Sequence, residues 1–159
     1  MLISLFLFSS FYGVTGKLPV SGPLPPGRPT ACAVVTKADV EQALGSLVGE
    51  GRGETEGRAS TCDYAADGGL VSITVQRLAV KPNLPREIAA LKKEIPEGIV
   101  REAPAFADAF YFDLPNAGTQ LHVIYGNSTH LMISILGFGD ASRVSAAAAQ
   151  IARKAIRQL

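Results

Sequence analysis

The sequence predicts an α+β fold: a mainly antiparallel sheet of five to six strands with three helices packed on its faces. Three observations predict it. Several stretches alternate apolar and polar residues with period two and are joined by short turns rich in Gly, Asn and Asp. Three other stretches carry apolar residues at helical spacing and begin at capping residues, Thr36, Asn83 and Asp140. Their order is helix, hairpin, helix, strands, helix. The strands are joined by connections too short for parallel crossovers, so neighbours run antiparallel.

The first helix starts at Thr36, where Asp39 three residues on completes a capping box and Val35 with Val40 forms a hydrophobic staple. Val40, Ala43 and Leu44 make its apolar stripe, and Gly45 ends it. "GEGRGETEGR", residues 49–58, reads as a mobile surface loop, since no Gly-Lys-Ser/Thr follows to cradle a phosphate. "ASTCDYAADGGLVSITVQRL" reads as a hairpin turning at Asp67-Gly68-Gly69. Val71, Ile73 and Val75 alternate there with Ser72, Thr74 and Gln76, and Cys62 shares a face with Tyr64.

The second helix is capped by Asn83, carries Leu84, Ile88, Leu91 and Ile95 on one stripe, and ends at Pro96. "IVREAPAF" is extended but broken by Pro104, which suits an edge strand. Three strands follow, "DAFYFDL", "TQLHVIYG" and "THLMISILGF", separated by Pro115-Asn116-Ala117-Gly118 and by Asn127-Ser128. The last two are apolar on both faces, which places helices on both sides of the sheet centre. The third helix, from Asp140, buries Val144, Ala147, Ala148, Ile151, Ala155 and Ile156. Its basic end, Arg153, Lys154 and Arg157, complements the helix dipole.

Ahead of this single domain, residues 31–159, stand two further segments. Residues 1–16 form an uncharged apolar run closed by Lys17, too short to span a bilayer, which takes roughly 20 apolar residues. The run suits the apolar region of a signal peptide, with Val14-Thr15-Gly16 at the cleavage position, although no basic residue precedes it; a buried helix is the alternative. Residues 17–30 are a Pro/Gly-rich tether. Export to the periplasm or the extracellular space is therefore the expectation, with membrane attachment only through an uncleaved N-terminus.

Fifteen basic residues against 14 acidic ones leave no electrostatic footprint for nucleic acid, and the lack of Trp leaves few stacking platforms. No nucleic-acid partner is expected.

Cys32 and Cys62 are the only two cysteines. Pro29 stands where a lipobox needs an aliphatic residue, which argues against lipidation of Cys32. In an oxidising compartment the two pair with one another, closing a loop of about 30 residues that constrains the unfolded chain by roughly 3–4 kcal/mol. In a reducing compartment they are two free thiols in the core.

The run Cys32-Ala33-Val34-Val35-Thr36-Lys37-Ala38-Asp39-Val40, followed by Thr61-Cys62-Asp63-Tyr64 and an alternating strand after a Gly-Gly turn, resembles bacterial extracytoplasmic lipoprotein families of unknown function. These are related to LpqN-like proteins and PknH-type sensor domains. The resemblance covers residues 31 to about 78 and departs from the family in lacking the lipobox. It implies a PsbP-like layout with a cysteine-pinned first helix, and binding or sensing of a protein partner or small ligand at the envelope. It brings no catalytic residues.

Catalytic signatures are absent: there is no His-x-x-Glu-His, Cys-x-x-Cys or Gly-x-Ser-x-Gly, so neither a metal nor a cofactor is expected. A small hydrolase or isomerase with an unrecognised site is the alternative function. His122 and His130 flank the Asn127-Ser128 turn. If that turn has two residues, Tyr125 faces His130, His122 points to the opposite side, and shared ligation is excluded. Glu102, Asp108 and Asp113 lie near aromatic residues, where a carboxyl pKa can be raised; solvated acids at strand ends are the commoner alternative. Tyr64, Phe110, Tyr111, Phe112 and Tyr125 are the candidate lining of a ligand groove, with alternate members of the run on opposite sides; aromatic residues of the core are the commoner alternative.

Overall fold

The computed structural model describes residues 29–96 and 99–159; the N-terminal apolar run and residues 17–28 of the tether lie outside the described residues. The chain order is α1 (Ala31–Val34), α2 (Lys37–Leu44), β1 (Arg52–Glu56), β2 (Ala59–Ala66), β3 (Gly69–Arg77), α3 (Leu84–Glu94), β4 (Val100–Glu102), β5 (Ala109–Leu114), β6 (Gly118–Tyr125), β7 (Thr129–Leu136) and α4 (Ala141–Ile156). The seven strands form one antiparallel sheet in the order β1-β2-β3-β7-β6-β5-β4. The fold class is as predicted, but among the described residues the sheet has seven strands rather than five or six, and there are four helices rather than three.

The extra strand is residues 52–56, inside the stretch expected to be a free loop. Its side chains are exposed, so it has no apolar alternation to betray it, yet it pairs with β2 from Arg52↔Asp63 to Glu56↔Ala59. Glycine makes this possible. A Cβ on Gly51 would stand 2.8 Å from Cys62 Sγ and from the Tyr64 ring, so only a residue without one can pass there. The extra helix, α1, is a single turn that the short apolar run Ala31–Val34 does not announce.

The expected caps are present. Thr36 Oγ1 accepts from Asp39 N, and Asp39 reciprocally accepts from Thr36 N at 2.9 Å. Gly45 closes α2 with φ +66°. Asn83 and Asp140 cap α3 and α4 by accepting from Arg86 N and Arg143 N. Lys154, near the end of α4, pairs with Asp39 at 3.1 Å and ties that helix to the capping box of α2.

The sheet has two unlike faces. On the first, Cys62, Tyr64, Val71, Ile73, Val75, Leu121, Val123, Leu131, Ile133 and Ile135 pack under α1, α2 and α4, forming the main core with Val34, Val40, Leu44 and the small-residue face of α4. On the second, α3 covers only the β4–β6 side, where Leu84, Val100, Phe110 and Ile124 are buried with Ile88, Leu91 and Phe112 against them. Helices on both sides of the sheet centre were expected from the last two strands; instead only the first face is covered there, because α3 packs at the β4–β6 end and the second face of β7 carries His130, Met132 and Ser134. Among the described residues no helix is long and apolar enough to cross a membrane.

Candidate functional site

The start of the domain is fastened to β2 at three points. Cys32 and Cys62 are joined by a disulfide with 5.1 Å between their Cα atoms. Ala31 N donates to Ser60 Oγ at 3.0 Å, and the Tyr64 hydroxyl donates to Val35 O. Burial raises the Tyr64 phenol above its usual range. Tyr64 is thus a structural brace in the main core.

The candidate aromatic residues divide between the two faces. Tyr111 lies on the first face and donates to Ser145 O at 3.1 Å, with the Arg101 guanidinium 4.9 Å from its ring centre. Phe110 and Phe112 lie on the second face beneath α3. Tyr125, at the end of β6, is 42% exposed. The structure brings together Phe110 and Phe112 but does not gather all five around one groove.

Between the α4 N-terminus and β5, Arg101, Asp113, Ala141, Ser142 and Ser145 line a shallow cleft of about 440 Å³. Its charges are already matched: Arg101 donates to both Asp113 oxygens and to Ser145 Oγ, and Thr119 Oγ1 donates to Asp113 at 2.7 Å. Hydrogen bonding from Arg101 holds the Asp113 carboxyl below the usual range, the opposite of the raised acid that aromatic surroundings suggested. Asp108 is paired with Lys81 at 2.7 Å. These carboxylates serve as ion-pair partners.

The second face holds the more informative arrangement. Strand register sets its side chains in cross-strand rows. One runs Thr61, Thr74, Met132, His122, Phe110; the next runs Asp63, Ser72, Ser134, Gln120, Phe112. The β2–β3 end of these rows is half-buried and polar, with Thr61 and Thr74 hydroxyls 3.0 Å apart. Asp63 Oδ1 is buried there without a hydrogen-bond partner among the described residues.

His122 and His130 meet on this same face, contrary to the expectation that they point to opposite sides. The β6–β7 turn has three residues, Gly126 to Ser128, with Gly126 at φ +59°, so Tyr125 pairs with Thr129 and Ile124 with His130. One extra turn residue shifts the register by one and brings His130 round to the face of His122. The rings come within hydrogen-bond distance, His122 Nδ1 to His130 Nε2 at 3.0 Å. Phe110 stacks on His122 with 4.6 Å between centroids and 1° between planes. Burial, and secondarily His130, pushes His122 down to about 3; burial pushes His130 down to about 4. Both imidazoles are therefore neutral at neutral pH. The sequence signal that could have revealed the pair is Gly126, whose left-handed conformation belongs to the turn.

No family model, curated protein or solved structure matches this chain.

Proposed function

We propose that this chain is an extracytoplasmic, non-catalytic binding or sensing domain that offers the polar half of its second sheet face to a partner. The Cys32–Cys62 disulfide supports an oxidising compartment, since such bonds persist in secreted and envelope proteins and are rare elsewhere. The resemblance of residues 31–78 to extracytoplasmic sensor and lipoprotein domains with a PsbP-like layout points the same way.

Asp63 is the observation that carries the binding reading. A buried carboxylate oxygen without a hydrogen-bond partner is costly in a finished surface. It sits on the half of the face that α3 does not cover, amid Thr61, Ser72 and Thr74. A partner bringing an N–H or O–H donor to this row would satisfy it.

The test is capture of a partner from envelope extract by the purified chain, compared with Thr74→Arg, which places a long cation in the middle of the face. Capture by the native chain and loss in Thr74→Arg supports the reading. Capture undiminished in the variant, or none from the native chain, contradicts it. Export is tested separately by intact mass: the chain recovered from its host should lack about its first 16 residues, whereas a soluble cytoplasmic form retaining Met1 opposes export.

A further inference from the structure

The His122–His130 hydrogen bond sets two ring nitrogens in opposition 3.0 Å apart. In such an N–H···N bond one nitrogen carries the proton and the lone pair of the other accepts it. Moving that proton to the other nitrogen of its own ring frees a lone pair on each side, with no net proton released. The pair then becomes a two-nitrogen clamp for a metal ion.

A third donor stands beside it. Met132 is the cross-strand partner of His122 and lies two residues beyond His130 on the same strand, so all three side chains share one face. Direct cross-strand neighbours have Cβ atoms about 5 Å apart, and the flexible thioether arm of Met spans such a gap. Phe110, stacked on the far side of His122, keeps water from that ring.

The donor set selects among metals. Among the described residues no group of three or more His, Cys, Asp or Glu can hold an ion, and both cysteines are committed to the disulfide. Zinc, calcium and magnesium, which want four to eight nitrogen, thiolate or oxygen ligands, find too few here. Two imidazoles and one thioether suit a soft monovalent ion of low coordination number. We propose that His122, His130 and Met132 form a binding site for one Cu(I) ion on the second sheet face.

Metal–imidazole bonds of about 2 Å require the two nitrogens to stand about 4 Å apart in line, so the gap must open by about 1 Å. His130 is the ring placed to move: it is only half-buried, and it follows the β6–β7 turn by two residues. The inference names a ligand for the same face and rests on reading that face as a binding surface.

The experiment titrates the purified, disulfide-bonded chain with Cu(I) under anaerobic conditions against a chromophoric Cu(I) chelator, with Ag(I) as a redox-inert probe in NMR. One equivalent should bind, shifting the ring protons of His122 and His130 and the methyl of Met132. Met132→Leu, a volume-conserving change that keeps the fold, should weaken binding by about 10-fold, and His130→Gln by about 100-fold or more. Absence of one-to-one binding by the folded native chain overturns the proposal, as does affinity undiminished in both variants or tighter binding of Zn(II) than of Cu(I). If Cu(I) fails to bind while partner capture remains sensitive to Thr74→Arg, the ion is excluded and the binding face stands. If neither occurs, both fail.

Discussion

Lowering the pH from 7 to 5 should destabilise the metal-free domain through buried His122 and half-buried His130. An unfolded imidazole titrates near 6.5, whereas the folded state holds His122 down to about 3 and His130 down to about 4. Between those limits the unfolded chain binds protons that the folded chain refuses. The stability that goes with neutral imidazoles is thus fully present above 6.5 and is lost as pH falls toward the folded values. Two sites taking up one proton each give a slope of up to about 2.7 kcal/mol per pH unit. Integrated from pH 7 to 5, the loss is roughly 3–4 kcal/mol, a large share of the 5–15 kcal/mol typical of a domain. Asp113, whose folded carboxyl is held below 3.8 by Arg101, contributes its loss only at more acid pH. Urea unfolding followed by far-ultraviolet circular dichroism at pH 7, 6 and 5 measures the effect. The same series on His122→Gln/His130→Gln should be nearly flat. Equal stability of the native chain at pH 7 and 5, or ring resonances titrating near 6.5 in the folded protein, would refute the reasoning.

Three further outcomes follow from the packing. Cys32→Ser should cost about 3–4 kcal/mol under oxidising conditions by the loop-entropy relation for a separation of 30 residues, read from urea midpoints with and without reductant; equal midpoints for variant and native chain would oppose it. Gly51→Ala should destabilise by about 1–3 kcal/mol, because its Cβ meets Cys62 Sγ and the Tyr64 ring at 2.8 Å. An unchanged melting temperature would show residues 49–58 to be the free loop that their composition suggests. Thr36→Ala removes the hydroxyl that accepts from Asp39 N and should cost about 1 kcal/mol, with the loss visible as faster amide exchange in the first turn of α2.

What the sequence made legible was whatever local chemistry determines. Thr36, Asn83 and Asp140 each carry an oxygen that can accept from the first turn, and each caps its helix. Val71, Ile73 and Val75 alternate because one face of β3 is buried, and the burial follows that alternation. β1 was illegible because an exposed edge strand of Arg, Gly, Glu and Thr buries nothing, and its pairing to β2 is backbone chemistry that composition does not record. The histidine pair was missed for a narrower reason. Asn127-Ser128 looked like a complete turn, but Gly126 belongs to it, and with a side-chain period of two a single residue decides which face His130 takes. The aromatic run was read as the candidate lining of a groove with alternate members on opposite faces, and Tyr111 and Phe110, adjacent in sequence, do serve opposite faces.

The most direct test of an extracytoplasmic, disulfide-held domain is the state of Cys32 and Cys62 in protein taken from its own cells. Cells are quenched in acid, denatured without reductant and treated with a heavy maleimide, and the chain is then weighed in each fraction. A chain in the envelope or medium fraction carrying no maleimide, with Cys32 and Cys62 in one linked peptide, is the expected result. A chain in the cytoplasmic fraction carrying two maleimides, or a diacylglycerol on Cys32, would contradict it.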